Sequence, residues 1–308
     1  MIALVCLLCS VVAYYHFKCT SLQADLKKTQ QLRLEERTGR INAEIKNRQD
    51  KLSNEEKGEG VGQIGVRPIG MLRSCFNQRN GTPRNSGCVP SARGVLKLRK
   101  DVPYTSLEGL EGFSHVWLIG WFHENTNASK EGKIKAKISP PRLGGAKVGL
   151  FSTRTPHRPN PISLTVVKLD KIEKNCVYLS GVDMIDDTPI LDIKPYIPSY
   201  DSLSSAQVPT WILDPPVKPS HWEIHIGGEF DGIIDEHIRG SVLYQNDRKA
   251  FLDFVQEVLV IDLRSQHRRD KMNANLLLNT HSVTLDGLTI QFQITDQSLT
   301  VTNISNIK

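Results

Sequence analysis

Short runs of apolar or alternating residues, separated by clusters of Gly, Pro, Asn and Asp, fill the chain from about residue 64 to residue 195. Runs of this length between turn residues predict β-strands rather than helices. The predicted strands are Val95–Leu98, Phe113–Phe122, Lys133–Ile138, Ile162–Leu169, Asn175–Val182 and Pro189–Ile193. Evenly spaced strands of this kind favour a barrel or a sandwich.

The run from Phe113 carries apolar residues on both of its alternating faces. One face holds His115 and three large apolar residues, and the other holds Val116, Leu118 and Phe122. This pattern predicts burial on both sides of the strand. We therefore expect His115 to be a hydrogen-bonded core histidine rather than a ligand or a base.

The C-terminal part of the chain changes in character and predicts a smaller α+β lobe. A strand is predicted at Trp222–Ile226 and a hairpin of two strands at Ser282–Ile304. Between them, apolar residues at three- and four-residue spacing predict a helix over Asp247–Ile261, with Asp247 as its N-cap.

The N-terminal part differs again. Ile2–Phe17 is almost entirely apolar, and the first basic residue, Lys18, follows it. A signal peptide and a membrane anchor are both open interpretations; an anchor would keep the downstream chain on the cytoplasmic side. The next stretch is charged and free of proline, and its apolar positions from Leu34 to Leu52 share one helical stripe. It predicts a helix, either as a plain spacer or with a weak coiled-coil seam.

These patterns predict five regions along the chain. They are an apolar segment at 1–17 with possible membrane attachment through 2–17, a charged helix and Gly-rich linker at 18–60, a β-barrel domain at 61–202, a Pro/Ser-rich linker at 203–220, and an α+β lobe at 221–308. The fold class is mainly β, with a helical N-terminal extension.

Charge and cysteine content narrow the possible functions only slightly. The 39 Lys and Arg residues against 33 Asp and Glu residues suit a phosphate-rich partner without requiring one. The six cysteines lack a repeating metal spacing, so no metal site is predicted. A Gly-x-Gly-x-x-Gly pattern begins at Gly60, but no strand precedes it and Pro68 follows, which excludes a dinucleotide-binding turn.

The stretch Gly149–Ile162 has the most distinctive chemistry. It places Arg154, His157 and Arg158 among three prolines, between two predicted strands. Because each proline fixes its own φ and restricts the residue before it, the loop is expected to be stiff. It either binds an anion or is an ordinary connection with solvated arginines.

Several motifs in a fixed order carry a family resemblance. They are Gly81-Thr-Pro-Arg-Asn85, Leu110–Trp117, Pro140–Gly145, Phe151–Ile162, Asp183–Tyr196 and, in the lobe, Asp262-Leu-Arg-Ser265. With these motifs the chain resembles the TrmO (YaeB-like) family of S-adenosylmethionine-dependent tRNA methyltransferases. The resemblance implies a β-barrel enzyme, working as a homodimer. It would methylate N6 of the threonylcarbamoyl-modified adenosine at position 37, next to the anticodon.

The resemblance also implies roles for individual residues. Those expected to bind S-adenosylmethionine are Asn85, Ser86, Gly87, His123, Glu124, Arg154, Leu164, Ser180, Gly181, Val182 and Asp183. Because methylation of N6 also requires loss of a proton, His157 and Asp192 are candidates for a general base on chemical grounds, and His157 is equally expected to shape the cofactor site or to contact RNA. Their positive charge makes Arg142, Arg158, Lys194, Arg264 and Arg268 the residues expected to contact tRNA.

Two departures from the family pattern bear on activity. Asp187 replaces the usual glycine before Thr-Pro, at a turn where a positive φ is preferred, and Leu263 replaces a proline. The alternative function is therefore a membrane-tethered cofactor- or RNA-binding protein of this fold without turnover.

Overall fold

In this computed structural model the described residues are 65–83, 85–124, 136–140, 143, 145–213, 222–261, 280–295 and 297–307. Val66–Lys308 is one compact unit by its internal contacts. The predicted apolar segment at 1–17 and the predicted helix at 18–60 lie outside the described residues, as does the coiled-coil prediction. Of the helices in the described ranges, none has the length and apolar character needed to cross a membrane.

The first half of this unit is a closed antiparallel β-barrel. The strands of this half are β1 (Gly70–Ser74), β2 (Arg93–Leu98), β3 (His115–Trp121), β4 (Lys137–Ile138), β5 (Val148–Gly149), β6 (Ile162–Glu173), β7 (Cys176–Ser180) and β8 (Thr188–Pro195). Six of them close the barrel in the order β1-β2-β7-β6-β3-β8, while β4 and β5 pair separately. The mainly-β prediction is confirmed.

The alternation along β3 shows how the sequence builds the barrel. Val116, Leu118 and Gly120 point inward and are buried, whereas the alternate residues are exposed or half-buried. The expected burial of both faces is wrong, because only one face of a small barrel is enclosed. His115 is exposed on the outer face, where its Nδ1 lies 2.9 Å from Ser114 Oγ, so it is not a core histidine.

The barrel interior is filled by aliphatic side chains from every strand. Leu72, Leu96, Leu118, Val167, Leu179 and Ile190 are at most 1% exposed. Packing near the C-terminal end of β3 is tight, since a Cβ on Gly120 would lie 2.8 Å from Ser163 Oγ. A larger residue at Gly120 would therefore push β3 away from β6.

The C-terminal lobe packs two helices against a four-stranded sheet. Short helices α1 (Pro198–Asp201) and α2 (Thr210–Leu213) precede it, followed by β9 (Glu223–His225), α3 (Asp231–Gly240), α4 (Arg248–Val260), β10 (Thr280–Leu285), β11 (Leu288–Ile294) and β12 (Ser298–Asn306). The sheet order is β10-β11-β12-β9. Asp247 caps α4 as predicted, since its Oδ1 accepts the N–H of Ala250 at 3.0 Å.

The sequence missed two elements of the lobe. The predicted hairpin at Ser282–Ile304 contains three strands, because the turn at Asp286 and Gly287, both with positive φ, divides its first strand into β10 and β11. Helix α3 was not predicted at all. In α3 the apolar pair Ile234 and Ile238 has helical spacing, but Gly232 and Gly240 lower the helix propensity around it.

The core of the lobe includes residues from the barrel half. Tyr244, Phe251 and Phe254 pack with Phe76, which follows β1 and is completely buried. Phe76 also forms a β-bridge with Leu285 at the end of β10. The connection from β1 to β2 is therefore shared between the barrel and the lobe.

Candidate functional site

The barrel topology gathers most of the predicted cofactor residues at one end. Because all neighbouring strands are antiparallel, this end holds the C-terminal ends of β1, β3 and β7 and the N-terminal ends of β2, β6 and β8. We call it the barrel mouth. The segments that meet there are Asn85–Gly87, His123–Glu124, the loop 150–161 with Arg154, and Ser180–Asp183.

Asp183 is the most perturbed carboxyl group at the mouth. It is half-buried, and desolvation by the surrounding protein raises its pKa to about 6. The Thr165 hydroxyl and the Ser86 main-chain N–H both hydrogen-bond to it, and the positive charge of Arg154 acts on it, which together limit the rise. The mouth therefore brings a carboxyl group and a guanidinium into one electrostatic neighbourhood.

Thr165 is a site residue that the sequence analysis missed. It is 6% exposed and lies on the inward face of β6. The sequence did contain an indication of this role, because the alternation of β6 places the Thr165 hydroxyl among apolar interior positions, where a polar group needs a hydrogen-bond partner. Its hydrogen bond to Asp183 depends on how the chain after β7 runs along β6, which single-sequence patterns do not reveal.

The loop around Asn85 is shaped by its own side chain. Asn85 Oδ1 accepts the N–H of Gly87 at 3.0 Å, which caps the short 3-10 helix Ser86–Cys88. Gly181 has φ +74°, and a Cβ there would meet the Ser86 carbonyl oxygen at 3.4 Å. Val182 is fully buried and its N–H donates to the Ala92 carbonyl at 3.1 Å. These contacts fix the backbone of the Asn85 loop against the chain that follows β7.

The two arginines of the loop 150–161 have different surroundings. Arg158 Nη1 donates to the Thr153 carbonyl at 2.6 Å, and its guanidinium carbon lies 5.1 Å from the centre of the Phe151 ring. Arg158 therefore fixes the loop internally, whereas Arg154 is exposed and its positive charge lowers the pKa of Asp183. His157 is also exposed, with its main-chain N–H 3.4 Å from Thr155 Oγ1.

A second set of predicted residues lies on the outer face of the barrel. Leu164 is 52% exposed and pairs with Ile119, which in turn pairs with Asp192 on β8. The Asp192 carboxylate forms an ion pair with Lys194 Nζ at 2.7 Å. The structure thus separates Leu164, Asp192 and Lys194 from the side chains that line the mouth. Arg142, Arg264 and Arg268 lie outside the described residues.

The turn before β8 accommodates Asp187 in place of the glycine that is usual in the family pattern. Asp187 adopts φ +58°, the left-handed conformation that the sequence analysis expected at this position. Aspartate tolerates this conformation better than most residues. The neighbouring Asp186 accepts the N–H of Ser74 at 2.8 Å, which fastens the turn to the end of β1.

Metal ligands do not cluster at the mouth. Within the part of the chain that the structure describes, no group of three or more His, Cys, Asp or Glu side chains is arranged to hold a metal ion. Among the described residues, the mouth carries the guanidinium of Arg154 and the carboxyl groups of Asp183 and Asp186, whose pKa values are both raised by desolvation.

Comparisons with known proteins agree with this architecture. The family model described as the tRNA-methyltransferase O N-terminal domain matches residues 71–202. A crystal structure of TrmO superposes with a TM-score of 0.61 at 30% identity, covering 80% of this chain and 100% of the other. TrmO from Pseudomonas aeruginosa gives a TM-score of 0.60 at 28% identity, covering 80% of this chain and 100% of the other.

Two curated relatives differ in how much of their own length is matched. The tRNA (adenine(37)-N6)-methyltransferase of Mus musculus is 54% identical over 151 residues, which is 48% of this chain but only 34% of the mouse protein. The chain thus spans about a third of the length of this relative. The enzyme of the same name from Escherichia coli is 32% identical over 242 residues, which is 76% of this chain and 94% of the bacterial protein. With a bacterial relative matched over nearly its whole length and a matching barrel, this chain belongs to the TrmO family.

Proposed function

We propose that this protein is an S-adenosylmethionine-dependent methyltransferase that acts on N6 of adenosine 37 in tRNA. The names of the mouse and bacterial relatives support the reaction and the position. We further propose that the acceptor is the threonylcarbamoyl-modified form of that adenosine, which is what the family resemblance implies.

The observation that carries this proposal is the placement of Arg154 and Asp183 at the same barrel mouth, where the positive charge of Arg154 lowers the pKa of Asp183. S-adenosylmethionine has a carboxylate and an ammonium group on its methionine part. The exposed Arg154 guanidinium suits the carboxylate, because its fork of N–H donors can make two parallel hydrogen bonds. The ionised Asp183 carboxylate suits the ammonium group or a ribose hydroxyl, and Gly87 and Gly181 permit close approach of the backbone.

When bound, the cofactor supplies a methyl group on a positively charged sulfur. The protein then has to position that methyl group in line with the acceptor nitrogen and exclude misaligned geometries. Asp183 is ionised above pH 6, so it can hold a cationic ligand at physiological pH.

The acceptor N6 must lose its proton as the new bond to carbon forms. His157 and Asp192 are the two candidates for accepting this proton. His157 is exposed on the mouth loop, where an incoming nucleotide can reach it, whereas Asp192 lies on the outer face in an ion pair with Lys194. Of the two, the placement favours His157.

Binding of tRNA is proposed to rest on phosphate contacts. Lys147 is exposed at the start of the segment that leads into the mouth loop, and Arg158 lies within that loop. Lys194 already neutralises Asp192, so its contribution to RNA affinity is expected to be smaller. Affinity for tRNA should fall steeply with salt, since each phosphate contact releases counterions.

We also propose a homodimer, as the family resemblance implies. The outer face of β3 and β6 leaves Ile162 and Leu164 43% and 52% exposed, and a second copy could cover them. Sedimentation velocity on the wild type and on Leu164→Asp checks this. The proposal expects a dimer for the wild type and a shift toward monomer for the variant.

Membrane attachment through residues 2–17 is a separate proposal. Fractionation of cells that express the full chain, or a chain lacking residues 1–22, tests it. Recovery of both forms in the same fraction would contradict an anchor.

Transfer of labelled methyl groups from S-adenosylmethionine to tRNA decides the main proposal. Transcripts with and without threonylcarbamoyl adenosine at position 37 serve as matched substrates, and the Arg154→Ala protein serves as the control. We expect incorporation only into the modified tRNA. Cofactor binding without incorporation into either tRNA would instead support a binding protein without turnover.

A further inference from the structure

The segment Ser86–Arg93 links the barrel mouth to the start of β2, and residues of the C-terminal lobe form hydrogen bonds with it. Glu257 on α4 accepts the Ser91 N–H with Oε2 and the Ser91 hydroxyl with Oε1, both at 2.8 Å. Tyr244 donates its hydroxyl to the Ser91 carbonyl at 3.1 Å. All three polar groups of Ser91 are therefore bonded to the lobe.

A second set of contacts with the lobe is made two residues further along the chain, by Arg93. Arg93 Nη2 forms an ion pair with Asp247 at 2.6 Å, and its Nη1 donates to the Leu243 carbonyl at 3.4 Å. Asp247 also caps α4. The end of the segment is thus tied to the start of the same helix that carries Glu257.

The opposite side of this segment faces the candidate site. Its first residue, Ser86, donates its main-chain N–H to the Asp183 carboxyl group. The Ala92 carbonyl accepts the N–H of Val182 at 3.1 Å. The segment is consequently held between residues 181–183 at the barrel mouth and helix α4, so that a displacement of Ser91 would be passed on to Ser86 and Asp183.

We propose that Glu257 is a positioning residue for the cofactor site, which acts by fixing Ser91 and through it the Ser86–Arg93 segment. This inference rests on the proposed use of S-adenosylmethionine at the barrel mouth. Glu257 touches neither cofactor nor substrate; the charged hydrogen bonds that it accepts are the strong kind, and they restrain the backbone that faces Asp183. The lobe is thereby part of the machinery that shapes the cofactor site.

Glu257→Gln and Ser91→Ala test this proposal in the full chain. Glu257→Gln keeps the side-chain shape but removes the negative charge, so its two contacts become weaker neutral hydrogen bonds, with the amide oxygen accepting the Ser91 N–H and Nε2 donating to the Ser91 hydroxyl oxygen. Ser91→Ala is milder, because it removes the hydroxyl and leaves the main-chain bond. Lys249→Ala is the matched control on the same helix, since that side chain is paired with Asp253 on the exposed surface. Val301→Ala in β12 is a second control that destabilises the lobe core away from the segment.

Two measurements separate positioning from general stability. Calorimetric affinity for S-adenosylhomocysteine is expected to fall about 10-fold in Glu257→Gln and about 3-fold in Ser91→Ala, with KM for the cofactor raised and kcat preserved. Hydrogen exchange of residues 86–92 should quicken in both variants and stay unchanged in Lys249→Ala.

The outcomes distinguish this inference from the proposed function. If the wild type binds cofactor and both Ser91→Ala and Glu257→Gln bind it equally well, the positioning role is overturned. If Val301→Ala weakens binding as much as they do, loss of lobe stability is the cause and the inference is again overturned. A wild type that binds no cofactor would overturn the proposed function itself.

Discussion

The barrel mouth and the outer face of the same barrel use neighbouring residues for different purposes. Thr165 and Leu164 are adjacent on β6, yet Thr165 is buried against Asp183 and Leu164 is exposed beside Ile119. The two regions also hold carboxylates in different surroundings: Asp183 at the mouth is desolvated, whereas Asp192 on the outer face is exposed and paired with Lys194. The strand alternation that builds the barrel thus also separates a candidate ligand site from a candidate interface.

A similar contrast exists within the mouth loop. Arg158 contacts Thr153 and Phe151, while Arg154 is exposed and acts on Asp183 through its charge. Two arginines four residues apart are therefore expected to differ in function. The difference can be measured one side chain at a time.

The largest effect is expected for Arg154→Ala. Loss of a bidentate charged contact should weaken cofactor binding about 100-fold, since such a contact contributes roughly 3 kcal/mol. Isothermal titration calorimetry with S-adenosylhomocysteine measures it, and Arg154→Lys should recover part of the loss. An affinity within threefold of the wild type would remove Arg154 from the site.

Asp183→Asn is expected to make the protein more stable at pH 8. The pKa of Asp183 is raised to about 6 in the folded protein, so folding costs free energy once the group ionises. The preference of the folded protein for protonated Asp183 adds most to the free energy of unfolding below pH 4, and this contribution is lost as the pH rises to about 6. After discounting for partial exposure, the variant should gain about 2 kcal/mol at pH 8 and nothing at pH 3.5. Urea unfolding at both pH values checks this, and equal stabilities at pH 8 would contradict it.

Cofactor affinity of the wild type should depend on the same titration. Below pH 6 the Asp183 carboxyl takes up a proton and can no longer hold a cationic group, so affinity should fall about 10-fold between pH 6.5 and pH 5. The binding profile of Asp183→Asn serves as the control and should be flat over this range. A wild-type profile that is equally flat would argue for a purely structural Asp183.

Arg158→Ala should affect the loop rather than the cofactor. Removal of its hydrogen bond and its ring contact is expected to lower the free energy of unfolding by about 1 kcal/mol. Cofactor affinity should stay within threefold of the wild type, which calorimetry can establish beside Arg154→Ala. Equal losses of affinity in the two variants would abolish the distinction between these arginines.

The smallest effect is expected for Asp192→Asn on the outer face. The exposed pair with Lys194 contributes at most about 1 kcal/mol, and its loss should change turnover less than threefold. Methyl-transfer rates measured over pH 6 to 9 are the appropriate test. A fall of 100-fold with a changed pH profile would restore Asp192 as the general base.

Strands that are marked by a long apolar or alternating run were predicted from the sequence, whereas the short and mixed run of β1 was not. The runs at β3 and β6 were long enough to identify, although β6 extends beyond its prediction because Lys171 and Glu173 continue the strand with charged residues. The strand β1, with sequence GMLRS, was missed because it is short and mixes one arginine and one serine into its alternation. Closure into a barrel follows from pairings such as β1 with β8, which are separated by more than 100 residues.

Motif order predicted the residues at the mouth, but not their relationships. The contact between Asp183 and Thr165 depends on the register in which Lys168 pairs with Ser180. The hydrogen bonds between Ser91 and Glu257 join residues that are 166 positions apart in the sequence. Neither contact can be recognised from a short stretch of sequence, because each depends on how whole strands and helices pack against one another.

The burial of Phe76 has a consequence for the order in which the protein is made. Phe76 leaves the ribosome early but packs against Phe254 and Leu285, which are synthesised much later. The strands of the barrel can pair before then, whereas the β1–β2 connection has to wait for its lobe partners. The barrel mouth is therefore completed last, and a nascent chain that stalls before residue 250 would carry a barrel whose candidate site is unfinished.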